Sequence, residues 1–123
     1  MGSEPTVPSV TISARRPVRV DAAAGRVVVR VEGDLDLGTH EPLLDGLARG
    51  LALAEDVLVV DLASCHFVSS RSFRAIEDAA DFLHARGGRL VVLEPPPSFA
   101  IISASLGDTC ALRVQRAPHG EVV

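Results

Sequence analysis

The order of hydrophobic patterns along the chain predicts an α/β fold. We expect a small mixed β-sheet of four to five strands, with about three to four helices packed mainly on one face. Residues 26–32 alternate apolar and polar side chains, which is typical of a strand with one buried face. Residues 57–62 and 90–93 are continuous apolar runs, as in strands covered on both faces. A helical stripe between these two runs predicts a parallel, right-handed crossover.

The first half of the chain predicts a β-hairpin followed by a helix. Residues 17–20 form a strand, and residues 21–25 form the loop that joins it to the alternating segment. Thr39 is the predicted N-cap, because its hydroxyl can accept a hydrogen bond from a free amide of the first helical turn. Apolar residues then recur at helical spacing: Leu43, Leu47, Leu51 and Ala54. Gly46 and Gly50 each cost roughly 1 kcal/mol relative to alanine inside a helix, so this helix depends on its packing.

The second half contains two further helices and a last strand. The stripe between the buried strands is formed by four residues: Phe73, Ile76, Ala80 and Leu83. Gly87 and Gly88 predict the end of that helix, because glycine readily adopts the left-handed conformation common at helix C-termini. A short helix over residues 98–106 and an edge strand over 111–114 complete the predicted fold.

Length and composition predict one domain and exclude several partners. The 123 residues suit a single domain, which we place at 12–115 between a flexible leader (1–11) and a C-terminal tail (116–123). A net charge of -4 and the absence of Trp and Tyr argue against nucleic acid. The apolar runs fall short of the roughly 20 residues of a membrane-crossing helix, and a secretion signal is not apparent. We expect a cytoplasmic protein without membrane insertion, as a monomer or a weak dimer paired through its edge strand.

The polar residues favour a binding protein over an enzyme. Cys65 and His66 are neighbours in a predicted strand, so their side chains point to opposite faces. Asp61 ends a buried strand and is expected to accept hydrogen bonds from loop amides. Cys65 and Cys110 are too few for a disulfide framework and are expected to be reduced. The histidines lack metal-ligand spacing: His40, His66, His84 and His119. We therefore expect no catalytic residue, no metal and no cofactor.

Two motifs carry a resemblance to a known family. Residues 31–39 read VEGDLDLGT at a predicted strand-to-helix junction, and residues 57–70 read VLVVDLASCHFVSS. The first resembles the Gly-Glu/Asp-Leu-Asp element of STAS domains, the sulfate-transporter and anti-sigma-factor-antagonist modules. The second is similar to that family's strand ending Val-Leu-Asp-Leu-Ser-x-Val-x-Phe-Ile-Asp-Ser. The resemblance covers roughly residues 15–115 and implies the STAS fold.

The resemblance also implies a function in transcription regulation. Antagonist-type members carry Asp-Ser-Ser/Thr-Gly at the start of the second helix, and a serine-kinase anti-sigma factor phosphorylates the first Ser. The dephosphorylated antagonist binds that kinase and frees the sigma factor. In this chain the four positions are Ser69, Ser70, Arg71 and Ser72. The resemblance therefore implies an anti-sigma factor antagonist in a partner-switching pathway, with Ser70 as the phosphorylation candidate, the kinase as partner and a phosphatase as a further partner.

The altered motif leaves a second interpretation open. Ser is among the best N-cap residues, so these serines are also explained as a helix cap. Only Ser70 matches the family motif, which leads to the hypothesis that phosphorylation is weakened, redirected or absent. The alternative function is a non-phosphorylated STAS scaffold or an accessory subunit of a transport complex. The predicted partner-binding residues are Asp34, Asp36, Ser69, Ser70, Arg71, Ser72 and Arg74.

Overall fold

The computed structural model describes residues 10–23, 26–106 and 112–115, which form a mixed sheet with helices. The strands are β1 (Val10–Arg15), β2 (Val18–Ala23), β3 (Arg26–Leu35), β4 (Val57–Val68), β5 (Arg89–Leu93) and β6 (Leu112–Gln115). The helices are α1 (His40–Leu53), α2 (Ser70–Ala85) and α3 (Pro97–Leu106), and a 3-10 helix over Leu37–Thr39 precedes α1. The spatial order of the six strands equals their order in the chain. The β1–β2 and β2–β3 pairs are antiparallel, and the β3–β4, β4–β5 and β5–β6 pairs are parallel.

The predicted α/β fold is confirmed, and the core lies between the helices and one face of the sheet. Alternate residues of β3 are buried there: Val27, Val29 and Val31. They belong to one apolar cluster with the inward residues of α1 and α2, including Leu43, Leu47, Phe73 and Ile76. Phe99 of α3 extends this cluster, because its ring centroid lies 4.9 Å from that of Phe73 in an edge-to-face contact.

The hairpin differs from its predicted boundaries. Residues 21–23 continue strand β2 instead of forming a loop, with Asp21 opposite Val28 and Ala22 opposite Val27. Strand β1 is an additional edge strand, so the described sheet has six strands where the hydrophobic pattern predicted four to five. Loop-forming residue types were therefore a poor guide here, because cross-strand partners stabilise this segment as a strand.

An ion-pair network ties four strands together on the sheet face opposite Val29 and Val31. Arg30 of β3 donates to Asp61 of β4 (3.2 Å) and to Asp21 of β2 (3.5 Å). Asp21 also accepts from Arg19 (3.0 Å) and from the hydroxyl of Thr11 in β1 (2.8 Å). The second oxygen of Asp61 accepts the Ala63 amide at 3.0 Å. The prediction that Asp61 ends its strand and binds loop amides was wrong, because β4 continues to Val68 and Ala63 belongs to the same strand. Asp21 is only 6% exposed, and these donors satisfy the charge that its burial would otherwise leave unpaired.

Two glycines explain how closely helix α1 lies on the sheet. A Cβ atom added at Gly46 would be 2.6 Å from Val18 Cγ1, and one at Gly50 would be 2.8 Å from Leu58 Cδ1. Both distances are far below ordinary carbon–carbon contact. The low helix propensity of glycine is therefore offset by the close packing of α1 on β2 and β4.

We expect the substitution Gly46→Ala to destabilise the protein by about 1–2 kcal/mol. Because the added methyl group would be only 2.6 Å from Val18 Cγ1, overpacking should cost about 2–3 kcal/mol, the upper part of its usual range, against a helix-propensity gain of about 1 kcal/mol. The measurement is urea unfolding followed by circular dichroism. Gly38→Ala is the matched control, because its added Cβ would meet only the Asp36 side chain, at an ordinary 3.6 Å. A Gly46→Ala variant as stable as the wild type would contradict this account of the packing.

Candidate functional site

The predicted site residues meet where strands β3 and β4 end. In this parallel pair, Gly33 lies opposite Cys65 and Leu35 opposite Val68. The pairing continues beyond the strands, because the Ser69 amide donates to the Leu35 carbonyl at 2.9 Å. The β3–α1 connection and the first turn of α2 therefore lie side by side at one edge of the sheet.

Ser69 is the N-cap of α2. Its backbone is extended (φ -77°, ψ 163°), and its hydroxyl oxygen accepts the Ser72 amide at 3.2 Å. Ser72 is fully buried, and its own hydroxyl lies 3.1 Å from that of Ser69. These two serines are thus hydrogen-bonded to each other. Ser69 is half-buried, and the Ser72 side chain is not available at the surface.

Ser70 has a different environment, although it stands between these two serines. It is the first residue of α2, and its side chain is exposed. Its hydroxyl makes no hydrogen bond with any residue in the described part of the chain. The Ser70 hydroxyl is therefore free at the end of the helix where unpaired amides and the positive end of the helix dipole stabilise an anion.

The β3–α1 connection is held by hydrogen bonds between Asp36 and Thr39. Asp36 Oδ1 accepts the Gly38 amide at 3.0 Å, and the Thr39 hydroxyl accepts the Asp36 amide at 2.9 Å. The same hydroxyl donates to the Asp34 carbonyl at 2.9 Å. The prediction that the Thr39 hydroxyl caps α1 was wrong: Thr39 occupies the N-cap position, but its side chain makes no capping bond to α1. The capping box belongs to the 3-10 helix instead, with Asp36 as its N-cap.

The charged residues around Ser70 are exposed. Arg71 and Arg74 lie on α2, and Asp34 lies at the end of β3. Within the described ranges, none of these three side chains forms an ion pair or a hydrogen bond. We call the exposed set the α2-start surface: Asp34, Asp36, Ser70, Arg71 and Arg74.

Apolar side chains are also exposed at this edge of the sheet. Leu37 of the 3-10 helix is 75% exposed, and Phe67 at the end of β4 is 45% exposed. The Leu35 carbonyl accepts the Ser69 amide, and Leu37 is two residues further along the chain. Leu37 therefore lies near the start of α2. Sequence reasoning did not select either residue, although both fall inside the motif segments. The available signal was an apolar residue inside each motif segment, Leu37 just after β3 and Phe67 near the end of β4.

The strand residues that were considered for catalysis do not share a site. Cys65 is buried, whereas its neighbour His66 is exposed, as strand alternation predicts. Cys65 is a free thiol that donates to the Phe67 carbonyl at 3.3 Å, and burial raises its pKa above the ordinary value of 9.0. Cys110 lies outside the described residues. Among the residues that the structure describes, no group of three or more His, Cys, Asp or Glu side chains is placed to hold a metal ion.

Comparison with protein families identifies the fold family. The family model described as "Mlab, STAS domain" matches residues 18–107. The chain therefore belongs to the STAS domain family. A comparison with curated protein sequences finds none that matches. Over the described ranges, no helix is long and apolar enough to cross a membrane.

Solved structures with the same fold include two of SpoIIAA, in its unphosphorylated and phosphorylated forms, and one of a mycobacterial antagonist. The anti-sigma factor antagonist SpoIIAA in its unphosphorylated form has a TM-score of 0.65 and 17% identity, with 82% of this chain and 89% of that chain covered. The phosphorylated form of the Bacillus cell fate determinant SpoIIAA also gives 0.65 and 17%, covering 83% and 92%. An anti-sigma factor antagonist from Mycobacterium paratuberculosis gives 0.61 and 23%, covering 86% of each chain. At these identities the likeness shows a shared fold.

The separate roles of Ser69 and Ser70 give a stability prediction. Ser69→Ala removes the cap of α2 and leaves the buried Ser72 hydroxyl without its partner, so we expect a loss of about 1–2 kcal/mol. Ser70→Ala removes an exposed, unbonded hydroxyl and should change stability by less than about 0.5 kcal/mol. Urea unfolding of the two variants beside the wild type measures both values. Equal losses would show that Ser70 shares the capping role.

The Cys65 thiol predicts a loss of stability at alkaline pH. All twelve basic residues are arginine and there is no tyrosine, so only the cysteines and the N-terminal amine titrate between about pH 8 and 11. Because folding raises the pKa of Cys65, the unfolded chain loses this proton first as the pH rises. In a Cys110→Ser background, the free energy of unfolding should fall as the pH rises through about 9, where the Cys65 thiol of the unfolded chain loses its proton. Adding Cys65→Ala should abolish the fall; a fall that persists would assign it to another group.

Proposed function

We propose that this protein is an anti-sigma factor antagonist that binds a serine-kinase anti-sigma factor through the α2-start surface. The observation that carries the proposal is the free, exposed hydroxyl of Ser70 at the first position of α2. STAS family membership and the fold shared with SpoIIAA and the mycobacterial antagonist support it. In this role the protein is a regulatory binding module of the cytoplasm, and it acts by contact and not by catalysis.

Phosphorylation of Ser70 would then act as the switch. A phosphate adds nearly two negative charges at a helix end that accommodates an anion without unfolding. The phosphate would lie in the middle of the α2-start surface, and a partner that binds there would have to remove the water that hydrates it. Repulsion and desolvation would therefore dissociate the partner while the fold stays intact. A phosphatase that removes the group would restore binding.

Three positions of the motif are changed, and two of them, Ser69 and Arg71, affect the charge of the surface around Ser70. The family's Gly is Ser72 here, and its side chain is buried against Ser69, so it adds no bulk to the surface that a kinase approaches. The family's Asp is the capping residue Ser69, and its second Ser or Thr is the exposed Arg71. Together these two changes make the surface less negative, and they carry our hypothesis of weakened or redirected phosphorylation.

The second candidate is a non-phosphorylated scaffold or an accessory subunit of a transport complex. Its support is the incomplete motif together with the description of the matching family model as "Mlab, STAS domain". In that role the same surface would bind one partner constitutively. Charge at Ser70 therefore distinguishes the two functions.

The test is an affinity capture from lysate of the native host, with bound proteins identified by mass spectrometry. We expect the wild type and Ser70→Ala to capture a kinase-type anti-sigma factor, and Ser70→Glu to lose it by about tenfold or more. Ser105→Glu is the matched control, because Ser105 is exposed on α3 and places the same charge elsewhere. Capture of one partner equally by all four proteins would contradict the switch. If that partner belongs to a transport complex, the second candidate is the function.

A further inference from the structure

Arg71 and Arg74 differ from the arginines that the fold uses. Arg19 and Arg30 bind carboxylates of the sheet, Arg49 pairs with Asp45 on α1, and Arg86 donates to the Leu51 and Ala54 carbonyls. Each of those guanidinium groups therefore contributes to a helix or to the sheet. Arg71 and Arg74 are exposed and bind no other residue of the described chain.

The position of Arg71 is unfavourable for the isolated fold. The N-terminal end of a helix carries partial positive charge, so a cation in its first turn is destabilising and an acidic residue is stabilising. The first turn of α2 contains no acidic residue and has Arg71 as its second residue. Folding alone therefore does not explain Arg71. Sequence features that oppose local stability are expected where a protein binds something else.

The surroundings of the two arginines suit a protein partner. Leu37 is 75% exposed and lies at the same edge of the sheet, on the connection that the Ser69–Leu35 hydrogen bond holds beside α2. Protein–protein interfaces are enriched in arginine and depleted in lysine, and their centres are apolar, so exposed guanidinium groups at the same edge as an exposed leucine suit an interface. The guanidinium group forms a planar fork that binds a carboxylate through two parallel hydrogen bonds.

We propose that the anti-sigma factor presents carboxylate side chains to Arg71 and Arg74, next to an apolar contact with Leu37. This inference rests on the proposed function and adds the chemistry of the partner's surface. It also gives the switch a physical form. Ser70 precedes Arg74 by one helical turn, so a phosphate on Ser70 competes with the partner's carboxylate for the Arg74 guanidinium group.

The test measures affinity for the purified kinase-type anti-sigma factor by titration calorimetry. We expect Arg71→Glu and Arg74→Glu each to weaken binding by about tenfold or more, and the wild-type affinity to fall as salt is raised. Arg89→Glu is the matched control: Arg89 is exposed at the amino end of β5, at the opposite edge of the sheet, and should bind like the wild type. Reversing the facing carboxylate of the partner to arginine should restore binding to Arg71→Glu.

Thermal unfolding of the same variants separates binding from folding. Because Arg71→Glu replaces a cation in the first turn of α2 with an anion, we expect the Tm of this variant to rise by about 1–4 °C. Unchanged affinity in both variants overturns this inference and leaves the proposed function standing. A fall in the Tm of Arg71→Glu also overturns it, because Arg71 would then serve the fold. Absence of binding by the wild type itself overturns the proposed function, and this inference with it.

Discussion

The parallel pairing of β3 with β4 is the constraint on which the candidate site depends. The register places Leu35 opposite Val68, and the hydrogen bond from Ser69 to Leu35 carries the pairing one residue past the strands. Each strand is followed at once by a helix, so two connections distant in the chain become neighbours. The conformation of each is then fixed locally, by Asp36 and Thr39 on one side and by Ser69 on the other. Strand register therefore brings the two connections together, and the capping hydrogen bonds then fix the conformation of each.

Three serines at the start of α2 show how one short segment serves both folding and binding. Ser69 is the N-cap and Ser72 the third residue of α2, so their side chains meet across the first turn, with Ser72 buried and Ser69 half-buried. Ser70 and Arg71 occupy the intervening positions and face solvent. A helical turn therefore separates residues that stabilise α2 from residues that a partner can contact. This separation allows the surface residues to change without loss of the fold.

Several features were predicted correctly because they follow from local patterns. Alternation identified β3, continuous apolar runs identified β4 and β5, and the helical stripe identified α2. The misses share a different cause. Asp21 belongs to a strand and not to a turn, because Arg19, Arg30 and Thr11 satisfy its buried carboxylate. The Thr39 hydroxyl serves the preceding turn because the Asp34 carbonyl and the Asp36 amide lie within its reach. In both cases the conformation depends on hydrogen bonds to particular groups, and the local pattern of residue types does not specify those groups.

By itself, the sequence determined the α/β class, the order of the main elements and the family, since these depend on periodicity and on motifs that are contiguous in the chain. Only the tertiary structure decided which of the three serines caps α2, which one is exposed, and that Arg71 and Arg74 are unpaired within the described residues. It also showed why α1 tolerates Gly46 and Gly50, through the close approach of Val18 and Leu58. The physical reason is common to all of these. Burial and hydrogen-bond satisfaction depend on which atoms distant parts of the chain bring together, and residue types along the chain do not encode those distances directly.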